Sequence, residues 1–125
     1  MILGIGSDII HIPRVARAIA NERVLERVYT ARERAYAESR GKTMTASLAA
    51  RFAGKEAVLK AFGTGLRCGK MTDIEILPDD LGAPIVHLDG YFAAHAQEMG
   101  VERVWITLSH ERDYATAYCV LEGQR

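Results

Sequence analysis

The sequence predicts an α+β domain in which a small antiparallel sheet packs on one long central helix. Three observations predict it. Residues 51–65, Arg-Phe-Ala-Gly-Lys-Glu-Ala-Val-Leu-Lys-Ala-Phe-Gly-Thr-Gly, form the end of a mostly apolar helix closed by glycines. The stretches 103–110 and 114–122 alternate as two strands joined around Glu111-Arg112-Asp113. Met1 to Ile10 is short, β-branched and glycine-punctuated, and reads as another strand.

In chain order, alternation along that first strand puts Gly4, Gly6 and Asp8 on one face, where small neighbours leave room beside the carboxylate. Pro13 suits a first helical turn, and Ile12, Val15, Ala16 and Ile19 then recur at helical spacing. A second helical stretch buries Val24, Leu25 and Val28, and Thr30 to Arg40 is a further, polar helix. Gly41 to Met44 is a loop, after which Thr45 can cap the central helix; Phe62 ends it before Gly63 and Gly65. Residues 73–77 and 84–88 alternate as a hairpin across Pro78-Asp79-Asp80-Leu81-Gly82, and 89–100 is a helix. Tyr91, Phe92 and Trp105 fall in apolar patterns and read as core.

The chain has 125 residues, enough for a single domain over 1–125 that buries roughly two-thirds of its unfolded surface. Acidic and basic residues number 16 each, so no overall field favours nucleic acid, and any electrostatic partner reads a local patch. Cys68 and Cys119 lie far apart with no metal-ligand spacing, as expected of reduced thiols. The apolar start has no basic leader and is broken at Asp8, so a cytoplasmic protein without a membrane span is expected.

The chemistry concentrates on the central helix. At 3.6 residues per turn, Glu56 and Lys60 share one ridge and Arg51 and Lys55 another, amid apolar neighbours that force these charges to find partners. A carboxylate with cations beside it suits a phosphate site bridged by magnesium, which usually takes one or two carboxylates plus substrate phosphates. Glu56 four residues before Lys60 also fits a plain helical ion pair, and Asp8 fits either a ligand or a strand-end carboxylate near the next helix. The run Lys60-Ala61-Phe62-Gly63-Thr64-Gly65 is not a nucleotide-binding loop of the Walker kind, in which glycines precede the lysine and open a helix. Ser109 and His110, adjacent on a strand, point to opposite faces and cannot work as nucleophile and base. His110 alone fits a strand-end histidine bonded to backbone, and Arg14, Arg17, Arg23 and Arg27 fit a solvated basic face.

Three segments together resemble one family: Gly4-Ile5-Gly6-Ser7-Asp8 running on to Ile12-Pro13-Arg14, the central helix, and Leu108-Ser109-His110 followed by Ala115-Thr116-Ala117. In order and spacing they are similar to the holo-acyl-carrier-protein synthases of the phosphopantetheinyl transferase superfamily. The resemblance spans nearly the whole chain. It implies transfer of 4′-phosphopantetheine from coenzyme A to a serine of apo acyl carrier protein, with release of adenosine 3′,5′-bisphosphate, in fatty acid biosynthesis. It makes Asp8 and Glu56 the magnesium carboxylates and Lys60 the cation nearest the transferring phosphate. It sets Arg51, Gly63, Gly65 and His110 against coenzyme A, and Arg14, Arg17, Arg23 and Arg27 against the acidic carrier protein. It further implies a homotrimer with sites between protomers. The chain departs from the family pattern at Met71, where an aromatic residue is common, in a slightly shorter preceding loop, and at Ala83, where a lysine is usual. A magnesium-dependent phosphohydrolase acting on a nucleotide pyrophosphate is the alternative that the same two carboxylates fit.

Overall fold

A computed structural model describes the whole chain, Met1–Arg125. The elements run β1 (Ile2–His11), α1 (Ile12–Ile19), α2 (Glu22–Val28), α3 (Ala31–Ser39), α4 (Met44–Phe62), β2 (Ile74–Pro78), β3 (Pro84–Leu88), α5 (Gly90–Met99), β4 (Val101–Glu111) and β5 (Tyr114–Gly123). All strand pairs are antiparallel; β5 lies between β1 and β4, and β2 pairs with β3 as a separate hairpin. The expected α+β architecture is therefore present.

Helix α4 is the axis of the domain. Twelve of its nineteen residues are buried, among them Ala57, Val58 and Phe62, which pack with Cys119 and Leu121 of β5 and Phe92 of α5. Gly63 ends it in the left-handed conformation at φ 77°, its N–H bonding back to the carbonyls of Leu59 and Lys60, as the glycine pattern predicts. Strand β1 lies directly on the helix backbone: a Cβ at Gly6 would fall 2.0 Å from the Ala57 carbonyl oxygen, and one at Gly4 2.1 Å from that of Ala61. The expectation that these glycines leave space beside Asp8 is thus corrected, since helix backbone fills the space they leave.

Two charges of α3 and α4 meet in the core. Lys55 Nζ donates to Glu33 Oε1 at 2.7 Å and to the carbonyls of Met71 and Ile74 at 3.0 and 2.6 Å. Glu33 also accepts from the backbone N–H groups of Thr30 and Ile76. Both side chains are fully buried. Burial pulls the Lys55 ammonium down from its ordinary value and the Glu33 carboxylate opposes that shift. The network ties α3 and α4 to the start of β2.

Three local expectations are corrected. Thr45 lies inside α4 and does not cap it. A 3-10 turn over Gly41–Thr43, closed by Thr43 N–H to the Arg40 carbonyl, leads into the helix without a side-chain cap. No residue of α2 is fully buried, because this short helix covers one side of the domain edge; Val24, Leu25 and Val28 are half-buried. Trp105 is 50 % exposed, whereas Phe92 is core as expected. Its indole N–H donates to Glu122, and the Arg103 guanidinium lies over its ring. Trp105 belongs to the sheet face that α4 leaves uncovered, together with Ile5, Ile9 and Tyr118, all more than 60 % exposed. No helix is long and apolar enough to cross a membrane.

Candidate active site

The close seating of β1 on α4 brings Asp8 to the last turn of the helix. Lys60 Nζ donates to Asp8 Oδ1 at 3.2 Å and to the Ser7 carbonyl at 3.0 Å. Lys60 thus spends its hydrogen bonds on β1, and the intrahelical ion pair with Glu56 does not form. Glu56, half-buried on the same ridge, has its carboxyl pushed above the ordinary range by burial first and then by the Asp8 charge, with Lys60 opposing. A Glu56 carboxyl whose charged form is disfavoured by burial and by the nearby Asp8 charge, with Lys60 as the cation at hand, belongs to a site that gains from additional positive charge.

No group of three histidine, cysteine or carboxylate side chains assembles anywhere in the chain. Magnesium needs no such cluster, since it is usually held by one or two carboxylates plus phosphate oxygens and water. The oxygen-only donor pair of Asp8 and Glu56 fits that ion and not zinc, which favours nitrogen and sulfur.

Arg51 and His110 meet elsewhere. They line a pocket of about 230 Å³ with Tyr36, Arg40, Thr43 and Ser47, and none of Asp8, Glu56 and Lys60 reaches it. Arg51 is nearly buried; its Nε donates to the Ile76 carbonyl at 3.0 Å and one terminal nitrogen to the Ser47 hydroxyl at 3.0 Å. Burial lowers its affinity for the proton, and the neighbouring Arg40 adds to that. Both guanidiniums lie over the Tyr36 ring, at 4.7 Å for Arg51 and 5.8 Å for Arg40. No carboxylate lines the pocket, so it presents cations and hydroxyls suited to an anion.

Sequence reasoning missed Tyr36 and Arg40, although they stand four apart in the polar run ending at Arg40, a legible helical pair. Ser109 and His110 do face opposite sides of β4, since Ser109 pairs with Thr116 and His110 with buried Ala115. Gly63 and Gly65 have φ of 77° and 62° with open space around their Cα atoms, at the Lys60 end of α4. Arg14 and Arg17 on α1 and Arg23 and Arg27 on α2 are exposed and make no ion pair.

Residues 4–119 match the family model described as the 4′-phosphopantetheinyl transferase superfamily. A holo-acyl-carrier-protein synthase from Clostridium acetobutylicum is 47 % identical over 123 residues, covering 98 % of both chains. Among solved structures, a Chronobacterium ammoniagenes ACPS-CoA complex superposes with TM-score 0.85 at 35 % identity over 98 % of each chain. A holo-(acyl-carrier-protein) synthase from Bacillus anthracis in complex with CoA (3′,5′-ADP) gives 0.83 at 36 % identity over 99 % of each. Agreement of sequence and of fold over nearly the whole chain has one explanation: the chain belongs to the 4′-phosphopantetheinyl transferase superfamily.

Proposed function

We propose that this protein is a holo-acyl-carrier-protein synthase, carrying 4′-phosphopantetheine from coenzyme A to a serine of an apo acyl carrier protein. Beyond family membership, the observation that supports it most is the meeting of Asp8, Lys60 and Glu56 where β1 crosses α4. Asp8 and Glu56 would hold magnesium, which would supply positive charge to the pyrophosphate of the donor. Lys60, already anchored to β1, offsets the negative charge that grows on the transferring group. The serine hydroxyl gives up its proton to a base at the site as its oxygen attacks the β-phosphorus in line, and the bond to the departing adenosine 3′,5′-bisphosphate breaks as the new phosphodiester forms. Incubation of protein, magnesium, coenzyme A and apo carrier, followed by intact mass of the carrier, tests this. Gain of one phosphopantetheine supports it, and hydrolysed coenzyme A with an unmodified carrier would instead support the phosphohydrolase.

The carrier docks on the exposed arginines of α1 and α2, whose positive charge stands out in a chain of zero net charge. Arg14→Glu is expected to raise the KM for the carrier at least several-fold while leaving coenzyme A affinity within about twofold, because rim charges act mainly on encounter. Steady-state kinetics with each substrate varied in turn check this; a change confined to coenzyme A would refute it.

The working form is a homotrimer that joins two half-sites. One chain keeps Arg51 and His110 in a pocket that Asp8, Glu56 and Lys60 do not reach, and the bare apolar face around Ile5, Ile9, Tyr118 and Trp105 provides a surface to bury between copies. Asp8→Ala protein mixed with Arg51→Ala protein, each inactive alone, should recover activity after subunit exchange, through interfaces that carry both intact halves. If exchange is verified by mass spectrometry of the assemblies and activity stays absent, the half-sites are not shared.

A further inference from the structure

Helix α5 contributes no residue to the transfer chemistry, yet it grips both ends of the segment that follows Lys60. Segment 63–70 leaves α4 at Gly63 and returns at the 3-10 turn Met71–Asp73. At its start, the buried Phe62 ring lies 5.7 Å from the Phe92 ring and 5.6 Å from the His95 ring, centre to centre. Tyr91 completes the group, edge-on to Phe92 at 5.1 Å and stacked on His95 at 5.5 Å. At its end, Gly69 rests on the fully buried Phe92 ring, where a Cβ would come to 3.0 Å or less from three ring atoms. The Gly69 backbone is not left-handed, so close approach to the ring is what requires a glycine there. Asp73 fastens the return: its carboxylate accepts from the Lys70 N–H at 3.0 Å, and its carbonyl accepts from the Asp89 N–H, just ahead of α5, at 2.8 Å. Between these anchors, residues 65–69 make no hydrogen bond outside the segment. The course of the segment is therefore set by its two ends, and α5 holds both.

We propose that Phe92 and His95 are positioning residues for the transfer, fixing segment 63–70 against the donor without touching it. The inference rests on the transferase reading, in which Gly63 and Gly65 lie against coenzyme A, and adds the support behind them. Phe92 acts through Gly69 and Phe62, and His95 through Phe62 and Tyr91. The two residues are three apart and so share one face of α5. No residue of α5 lines the Arg51 and His110 pocket or the groove of Glu56, Leu66, Gly69 and Lys70, so its influence on the donor passes through the segment. Such support matters because a shift of about 1 Å in a positioned substrate costs up to about a hundredfold in rate, even when its source is remote from the chemistry.

The test sets the donor against the carrier. Calorimetric binding of coenzyme A with magnesium, and steady-state transfer with each substrate varied, are measured on wild type, Gly69→Ala, the double variant Gly69→Ala, Phe92→Leu, and His95→Ala and His95→Phe. Thermal unfolding establishes that each protein is folded at the assay temperature. Gly69→Ala is expected to weaken coenzyme A about fivefold or more while the KM for the carrier stays within about twofold. Phe92→Leu removes the ring edge that the new Cβ meets, so the double variant should recover most of the lost affinity. His95→Ala should weaken coenzyme A in the same direction, and His95→Phe, which keeps a ring against Phe62 and Tyr91, should restore it. Gly69→Ala protein that loses thermal stability but keeps wild-type affinity and KM for coenzyme A overturns the proposal. A double variant no better than Gly69→Ala, or a loss that falls on the carrier instead, does the same. If Gly69→Ala does not fold, the His95 pair decides, and equal coenzyme A affinity in His95→Ala and His95→Phe refutes the role. Wild type that binds coenzyme A but modifies no carrier refutes the transferase reading and leaves calorimetry to decide the positioning role; wild type that binds no coenzyme A refutes both.

Discussion

Asp8→Ala and Glu56→Ala are each expected to lower the rate of phosphopantetheine transfer by about a hundredfold or more, on the order of 3 kcal/mol of transition-state stabilisation. The two carboxylates lie on different elements, and Asp8 reaches the site only because β1 rests on the backbone of α4. Loss of either leaves one carboxylate for the cation that both are proposed to hold, and loss of Asp8 also releases Lys60 from its side-chain partner. Both side chains are partly exposed and neither belongs to the buried core, so the fold should survive with little change in thermal midpoint. Titrating magnesium against rate distinguishes this from a general loss of activity. Each variant should require more magnesium as well as turn over more slowly. Variants that keep near-wild-type rates with unchanged magnesium dependence would remove Asp8 and Glu56 from the site.

Much of this arrangement was legible in the sequence, because periodicity reports direction. Counting 3.6 residues per turn separates the Glu56 and Lys60 ridge from that of Arg51, and counting by two separates Ser109 from His110. Both separations hold in three dimensions, where Arg51 lines a pocket that Glu56 and Lys60 do not reach. What periodicity omits is what covers each face. Trp105 reads as core because its strand alternates, yet α4 covers only one side of the sheet and Trp105 lies on the other. The spacing of Lys60 after Glu56 permits an intrahelical pair, but the Ser7 carbonyl and Asp8 on β1 take the ammonium. Gly4 and Gly6 likewise read as space when their role is contact with the helix backbone.

The partner of Lys55 was the least legible feature, and it carries the largest expected effect on stability. Thr30 and Glu33 form a capping box at the start of α3, a pattern visible in the sequence as Thr-x-x-Glu. That signal marks a helix start on a stretch of otherwise polar residues and gives no hint that Glu33 is fully buried. Glu33→Ala is expected to destabilise the fold by about 3–5 kcal/mol, because it leaves the buried Lys55 ammonium without its counter-charge. The change also deprives the Thr30 and Ile76 N–H groups of their acceptor. Lys55→Met should cost less than Glu33→Ala, because the Glu33 carboxylate that it strands still accepts from the Thr30 and Ile76 N–H groups. The double variant Glu33→Ala, Lys55→Met removes both charges together and should be more stable than the sum of the single losses, although Thr30 and Ile76 still lack an acceptor. Urea unfolding of wild type, both single variants and the double variant yields the coupling. Strict additivity would mean that Glu33 and Lys55 contribute independently, and the pair would then not be the bolt that holds α4 against α3 and β2.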